Sequence, residues 1–426
     1  MKTFIILLAV FVLCTIAWTP ESSSEESSSS EEEEIAPIQV TTENQDEVLS
    51  ESDESDVSDS SSEEVIHFRS GRSRNQRRPK NSKNVRGERK NPYQRADNDT
   101  RWEKYKIQFN LKFSSAAKEA KAKRRFIKNR MKVIKHKDDN KNSTIDLEVN
   151  QFATMSSKEF RSKMMGLTPE TRPEVRSYFS EDITRQSVPD SFDARTIPGA
   201  VSLVRAQGDC GGCWAFSTVA TLETIFFMKY KKTYKLSEKH LIDCDGFNDG
   251  CDGGTMDAAF NYIRGYEGIN ARKMYPYQEF RSRCVAQKSY NRPIFITEIK
   301  GFPKPQKEKP EVVEEMMKVA TATYGAVAVG IDAEYMQFYG GGVYTGPCTP
   351  GINHGVTIVG YGTCEKTGLP YWIIKNSWGP EWGEAGFLRL YRGNNTCGVG
   401  QMASVPIIAD DIDLTRVPTD DQVDAS

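Results

Sequence analysis

One stretch limits the fold more than any other: Gln207 to Ser217, Q-G-D-C-G-G-C-W-A-F-S. A glycine-rich turn gives way there to an apolar run, Trp214 to Met228, whose length and composition predict a buried helix. Cys213 stands at the junction. A cysteine at a helix N-terminus faces unpaired backbone N–H groups and the positive end of the helix dipole. That setting favours the thiolate, which is the nucleophilic form. Gly211 and Gly212 allow a sharp turn and leave the sulfur open to a second molecule. Gln207 offers a neutral N–H that can stabilise a developing oxyanion. The same letters also permit a C-x-x-C redox pair or half of a zinc site.

A nucleophilic cysteine needs a base within reach and a third group to orient that base. After residue 186 the chain has two histidines, His240 and His354. His240 lies among helix-like residues beside two cysteines and reads as a core residue. His354 lies between a glycine-rich turn and a strand-like run, Gly355 to Tyr361. Asn376, in K-N-S-W-G, can accept from one imidazole nitrogen and fix the tautomer, and Trp378 can keep water off that bond. Eight cysteines follow residue 200, at 210, 213, 244, 251, 284, 348, 364 and 397. An even number invites four bridges, but a free nucleophile allows only three and leaves one thiol over. A four-cysteine zinc site from Cys210, Cys213, Cys244 and Cys251 is a competing reading, although the C-x6-C spacing is wide for one.

Charge is unevenly placed along the 426 residues, although the net charge is only -2. Residues 1–17 have signal-peptide form: Lys2, an apolar run from Phe4 to Leu13, then small residues. The run falls short of the ~18–20 residues a membrane span requires, and no other segment is long and apolar enough. Residues 18–97 are expected to be a disordered extension. Pro20 to Glu64 holds no Lys or Arg and is dominated by Ser, Glu and Asp. Arg69 to Arg95 is strongly basic, with Glu88 as its one acid. In a secreted chain that tract suits a polyanion such as a glycosaminoglycan, or the acidic tract of the same chain, rather than nucleic acid; a protease-accessible linker is the alternative. The serines placed two before Glu, such as Ser23 and Ser62, are candidate phosphorylation sites, although a solubilising tail is the simpler reading of the acidic tract.

Globular composition begins near residue 98. Trp102, Tyr105, Phe109 and Phe113 recur at helical spacing, and Ala116 to Ile134 reads as a basic second helix. Ile145, Leu147 and Val149 alternate like a strand. Ser156 and Glu159 have capping-box spacing before a short helix that Gly166 would stop. Later, Ala326–Ile331, Gly355–Tyr361, Tyr371–Lys375 and Phe387–Tyr391 read as strands. Residues 410–426 form an acidic tail expected to be disordered. Asn98, Asn142 and Asn394 begin N-x-S/T sequons.

These motifs resemble the papain family of cysteine proteases, and the cathepsin L type within it. C-G-G-C-W is similar to that family's C-G-[SA]-C-[WY], with Gly212 in the variable place. Ser237 to Cys244, the G-C-D-G-G turn at Gly250–Gly254, N-H-G-V-T-I-V-G-Y-G and K-N-S-W-G look like further family motifs. Upstream, N-Q-F at Asn150–Phe152, with Phe126, Asn129 and Val133, resembles the inhibitory propeptide. Glu148 and Thr154 depart from its G-x-N-x-F-x-D motif, and Lys118 and Ala122 from its long helix motif.

The resemblance implies an α+β fold with two lobes, a helical lobe carrying the nucleophile and an antiparallel, barrel-like lobe. An α-rich propeptide would occupy 98–179 and the peptidase 186–409, with a processing cut between about 180 and 188. It implies Cys213 as nucleophile, His354 as acid/base, Asn376 as orienting residue and Gln207 in the oxyanion hole. It implies the bridges Cys210–Cys251, Cys244–Cys284 and Cys348–Cys397, leaving Cys213 and Cys364 free. The substrate pocket would be lined by Gly253, Gly254, Thr255, Met256, Gly330, Ile352, Gly355, Trp378 and Met402. No acid or base is in that set, so an apolar residue is expected second before the cut. The resulting expectation is a monomeric cysteine endopeptidase zymogen of the secretory pathway, extracellular or lysosomal. It would cut proteins and peptides, be inhibited by its own propeptide, and need neither cofactor nor metal. The alternative is a non-catalytic matrix- or mineral-associated protein on the same scaffold.

Overall fold

The computed structural model describes residues 92–140, 143–169, 177–266, 268–286, 294–305 and 307–410. The expected signal peptide, the acidic tract, the basic tract as far as Asn91, the Asn142 sequon and the tail beyond Asp410 lie outside them.

Helix α1 (Pro92–Gln108) and helix α2 (Ala116–Asp139) open the described chain. Ser115 caps α2, its hydroxyl accepting from the Lys118 N–H. The apolar positions of the two helices meet, with Tyr105 and Phe126 rings 4.6 Å apart and Trp102 and Phe126 5.5 Å apart. The aromatic spacing predicted one helix through Phe113. Instead α1 stops at Gln108 and Asn110 turns the chain at φ 48°, a conformation Asn tolerates. Phe113 still returns to Trp102, at 5.8 Å. Strand β1 (Ile145–Leu147) follows, then helix α3 (Ser157–Met164). Ser156 and Glu159 start α3 with a complete capping box. Strand β2 (Ser177–Tyr178) closes this leading unit.

The rest of the chain begins with strand β3 (Phe192–Asp193) and three helices, α4 (Cys213–Tyr230), α5 (Glu238–Cys244) and α6 (Met256–Gly265). Helix α4 is buried on every side from Cys213 to Phe226. That explains its apolar composition without amphipathic spacing. Strand β4 (Ile296–Gly301) and helix α7 (Pro310–Tyr324) lead into strands β5 (Val327–Ile331), β6 (Tyr339–Tyr344) and β7 (His354–Thr363). Strands β8 (Pro370–Lys375), β9 (Phe387–Tyr391) and β10 (Ala403–Ile408) complete the sheet. Its order is β1-β6-β9-β8-β7-β5-β10-β4-β2, with β3 paired to β7. Pairing is antiparallel except at β6–β9 and β2–β4. The leading unit therefore supplies both ends of the strand path.

Helix α4 lies directly on β7. Ser217 Oγ donates to the Val356 carbonyl at 2.7 Å, and Thr357 Oγ1 to the Ser217 carbonyl at 3.1 Å. Gly355 makes this approach possible, because a Cβ there would come within 2.9 Å of Met256 Sδ and 3.3 Å of the Trp214 backbone. Three disulfides, Cys210–Cys251, Cys244–Cys284 and Cys348–Cys397, close loops of 40 to 49 residues. In the chain-entropy account each is worth about 4 kcal/mol. Among the described residues, Cys213 and Cys364 remain free.

Candidate active site

Cys213 is the first residue of α4, and its Sγ accepts from the Gly355 N–H at 3.4 Å. His354 opens β7 beside that glycine, and Asn376 follows β8 directly. The strand pairing β7–β8 brings the last two together, His354 Nε2 to Asn376 Oδ1 at 2.8 Å. Asn376 Oδ1 also accepts from the Ser377 N–H at 2.8 Å, so it is the amide oxygen that faces the ring. Nε2 therefore carries the hydrogen and Nδ1 keeps its lone pair. Trp378 covers the imidazole, with centroids 4.6 Å apart. The fully buried Gln207 is fixed by Ser377, which donates Oγ–H to Gln207 Oε1 at 2.8 Å. Its Nε2 is thereby turned toward the cleft.

That cleft is filled by the chain itself. Gln207 Nε2 donates to the Met164 carbonyl at 3.3 Å and to the Cys210 carbonyl at 2.9 Å. The Gly254 N–H donates to the Gly166 carbonyl (2.9 Å), the Leu167 N–H to the Asn353 carbonyl (3.1 Å) and the Thr168 N–H to the Gly254 carbonyl (3.1 Å). Gly166 was expected only to stop a helix. Its role is closer contact: a Cβ there would sit 1.8 Å from the Gly211 carbonyl oxygen.

The covering segment changes the chemistry. Burial pushes the Cys213 thiol up to about 11, against the N–H groups of Gly355, Gly166, Trp214 and its own. Burial also lowers His354 to about 4, against the Asn376 bond and the nearby Met164 carbonyl. Nδ1 makes no hydrogen bond of normal geometry. The helix terminus alone predicted a thiolate. Both shifts oppose the charge that the helix terminus favours, because the covering segment keeps water from the pair.

Residues 188–407 match the family model for papain family cysteine protease, and residues 102–160 that for the cathepsin propeptide inhibitor domain (I29). The chain belongs to the papain family of cysteine proteases. Cathepsin L of Sarcophaga peregrina is 37% identical over 324 residues, 72% of this chain and 92% of that relative. Cathepsin F of Drosophila melanogaster is 34% identical over 323 residues, 72% of this chain and 50% of that longer protein. Digestive procathepsin L 3 from the Tenebrio molitor larval midgut superposes with a TM-score of 0.65 at 34% identity, covering 72% of this chain and 98% of that one. The protein is thus a cathepsin L-like cysteine endopeptidase with a papain-like fold, made as a zymogen.

The propeptide of this papain-family zymogen is held through the residues its motifs retain. Asn129 Nδ2 donates to the Ala153 and Met155 carbonyls at 3.0 and 2.9 Å. Asn150 Nδ2 donates to the Gln337 carbonyl at 2.8 Å, which joins N-Q-F to the protease. Gln151 Nε2 reaches the Trp378 carbonyl at 2.6 Å. Phe160 sits edge-on to Trp378 at 5.0 Å, with Phe152 beside it at 5.9 Å, so the roof of the histidine is itself roofed. Arg161–Glu334 and Lys163–Asp209 ion pairs flank the contact.

Leu167 occupies a pocket of the cleft. A Cβ on Gly330 would meet Leu167 Cδ2 at 2.6 Å, Ile352 Cδ1 at 2.9 Å and Met402 Cβ at 3.5 Å. Gly253, at φ 137°, faces Thr168, and Met256 is buried with its sulfur beside Gly355. Thr255 is engaged otherwise, its hydroxyl capping α6. Trp378 lies over His354. His240 is a core residue, accepting from the Asn270 N–H at Nδ1 and stacked on Tyr275. Cys210, Cys244 and Cys251 are all oxidised to disulfides, which leaves no thiolate set for zinc. Asn98 accepts from Arg130 on α2, and Asn394 is exposed. Sequence reasoning missed the cleft segment Met164–Thr168 and Asn353. The signal available for Asn353 was its place next to His354.

Proposed function

We propose that Cys213 attacks the scissile carbonyl as a thiolate while His354 supplies the proton for the leaving amine. The product is a thioester acyl-enzyme, which water hydrolyses with His354 acting as base. Asn376 holds the imidazole in the tautomer that leaves Nδ1 free. Gln207 Nε2 and the Cys213 N–H receive the developing oxyanion. One observation carries this reading. The Met164 carbonyl already rests on Gln207 Nε2, so a main-chain carbonyl fits where the oxyanion would form. Activating the precursor at acidic pH, adding an electrophilic peptide inhibitor and mapping the added mass tests it. Labelling at Cys213 is expected; labelling elsewhere, or none, would refute it.

The apolar pocket of Gly330, Ile352 and Met402, with Met256 behind it, selects Leu or Phe second before the cut. The inhibitory propeptide is assigned to 98–179, with α1 reaching back to Pro92, and the protease to 186–409. Processing falls between about 180 and 188, where Arg185, Gln186 and Ser187 are exposed. The disulfides and the leader-like residues 1–17 favour the secretory pathway, extracellular or lysosomal. The enzyme acts as a monomer, with Asn98, Asn142 and Asn394 as glycosylation acceptors. The basic tract Arg69–Arg95 binds a polyanion of the glycosaminoglycan class. Deleting it should abolish salt-sensitive retention on heparin and leave peptidase activity unchanged.

A further inference from the structure

Behind the Gly254 side of the cleft lies a buried carboxylate that the catalytic chemistry does not use. Asp245 caps the C-terminal end of α5, its N–H donating to the Leu241 carbonyl at 3.0 Å, and it is fully buried. Its Oδ1 accepts from the Phe247 N–H at 2.9 Å and its Oδ2 from Asn248 Nδ2 at 2.6 Å. Asn248, 3% exposed, is then fixed from its other side. Its Oδ1 accepts from the Thr255 N–H at 2.8 Å and its Nδ2 reaches the Thr255 carbonyl at 3.2 Å. The Asn248 side chain lies close against Gly254, where a Cβ would come within 2.5 Å of Asn248 Oδ1. Gly254 in turn uses both its N–H and its carbonyl on the chain in the cleft.

We infer that Asp245 and Asn248 form a positioning pair that sets the Gly254 wall, and thereby how tightly the enzyme grips substrate residues beyond the one at the cut. This rests on the proposed reading of the cleft. The polarity of the pair is what matters. Asn248 presents its oxygen to the Thr255 N–H while its NH2 donates to the Thr255 carbonyl and, more closely, to Asp245 behind it. A carboxylate at 245 accepts on both oxygens and satisfies Phe247 and Asn248 together. A neutral amide there would meet a donor with a donor at one of the two. Burial pushes the Asp245 carboxyl up to about 6, despite the Phe247 and Asn248 bonds and the nearby Arg281.

The test uses Asp245→Asn in enzyme processed from the full chain. Two substrates are compared: a peptide amide with three residues before the cut and an ester with one. The peptide should lose at least about tenfold in kcat/KM, mainly through KM, while the ester stays within about twofold. Combining Asp245→Asn with Asn248→Asp restores an acceptor for the Thr255 N–H and a donor–acceptor pair behind it, but loses the donor to the Thr255 carbonyl. That double variant should therefore recover in part, to at least about threefold above Asp245→Asn on the peptide. Asn248→Ala removes the same tie and should show the same split, which covers failure of Asp245→Asn to fold. Equal losses on both substrates, no loss on the peptide, or no recovery in the double variant would overturn the inference. Alkylation of Cys213 in the wild-type mature enzyme is scored in parallel. Its failure would strike the catalytic reading and not this one.

Discussion

Leu167 plugs the pocket beside His354, and its truncation should loosen the zymogen by a calculable amount. The side chain is 6% exposed and touches the walls at Gly330 and Ile352. Leu→Ala in a closed core costs about 2–5 kcal/mol, the upper part of that range coming from the cavity left behind. This pocket opens to the cleft when the segment lifts and can refill with water, so the transfer term dominates, about 2 kcal/mol. That shifts the closed-to-open ratio of the intact precursor about 30-fold. Alkylation of Cys213 by iodoacetamide reads the ratio, because the sulfur is buried until the segment leaves. The precursor is held near neutral pH, its intact mass is checked, and adduct at Cys213 is followed in time. Leu167→Ala should label about 30-fold faster than wild type, and the volume-conserving Leu167→Met less than about threefold faster. Cys364, half-exposed in the same molecule, is the internal control and should label equally in all three. A Cys213 rate for Leu167→Ala within about threefold of wild type would refute Leu167 as a plug.

Cys213→Ser should leave a folded precursor that cannot process itself, and His354→Ala should be equally inactive; substantial peptidase activity in either contradicts the assignment. On mature enzyme, substrates differing only in the second residue before the cut should favour Leu over Arg by at least about tenfold in kcat/KM, about 1.4 kcal/mol. Equal rates would mean other residues line the pocket. The Glu159 carboxyl is held at about 2, burial opposing but outweighed by the Ser156 N–H and by Arg125, so its contribution is complete above about 4.5 and is lost as pH falls toward 2. Because the Arg125–Glu159 pair is partly exposed, that contribution is under ~1 kcal/mol. The melting-temperature gap between wild-type and Glu159→Gln precursors should narrow from about pH 6 to about pH 3; a constant gap would refute this linkage.

Local chemistry was legible in the sequence wherever the residues that act together share a motif. Ser156 and Glu159 announced their capping box, and K-N-S-W-G placed Asn376 beside Ser377 and Trp378. The nucleophile helix was legible because a long apolar run with no polar face must be buried on all sides. The covering of Cys213 was not legible. It depends on a segment upstream of the helix that covers the sulfur, and on a Gly355 contact spanning 142 residues. Strand β6 escaped notice because Tyr-Gly-Gly-Gly-Val-Tyr reads as a loop, and β10 because Pro406 interrupts it. Both are strands because neighbours supply the pairing that their own propensities do not. Thr255 was expected as a wall and is occupied as a cap, since a threonine before a helix is drawn to the orphan N–H groups.

The glycines of β6 bear on the life of the enzyme after maturation. β1 pairs with β6 through Ile145 and Gly342, Asp146 and Gly341, and Leu147 and Tyr339, and a Cβ on Gly342 would strike the Thr144 carbonyl at 2.2 Å. A cut near residues 180–188 discards β1 and bares that side of β6, a row of donors and acceptors of the kind that recruits foreign strands. Three consecutive glycines make a poor recruiter, with no side chains to clasp a newcomer and with Gly342 at φ 86° bending the edge out of flat extension. The glycines that let β1 dock are therefore also residues that disfavour strand addition along the same edge once β1 is gone.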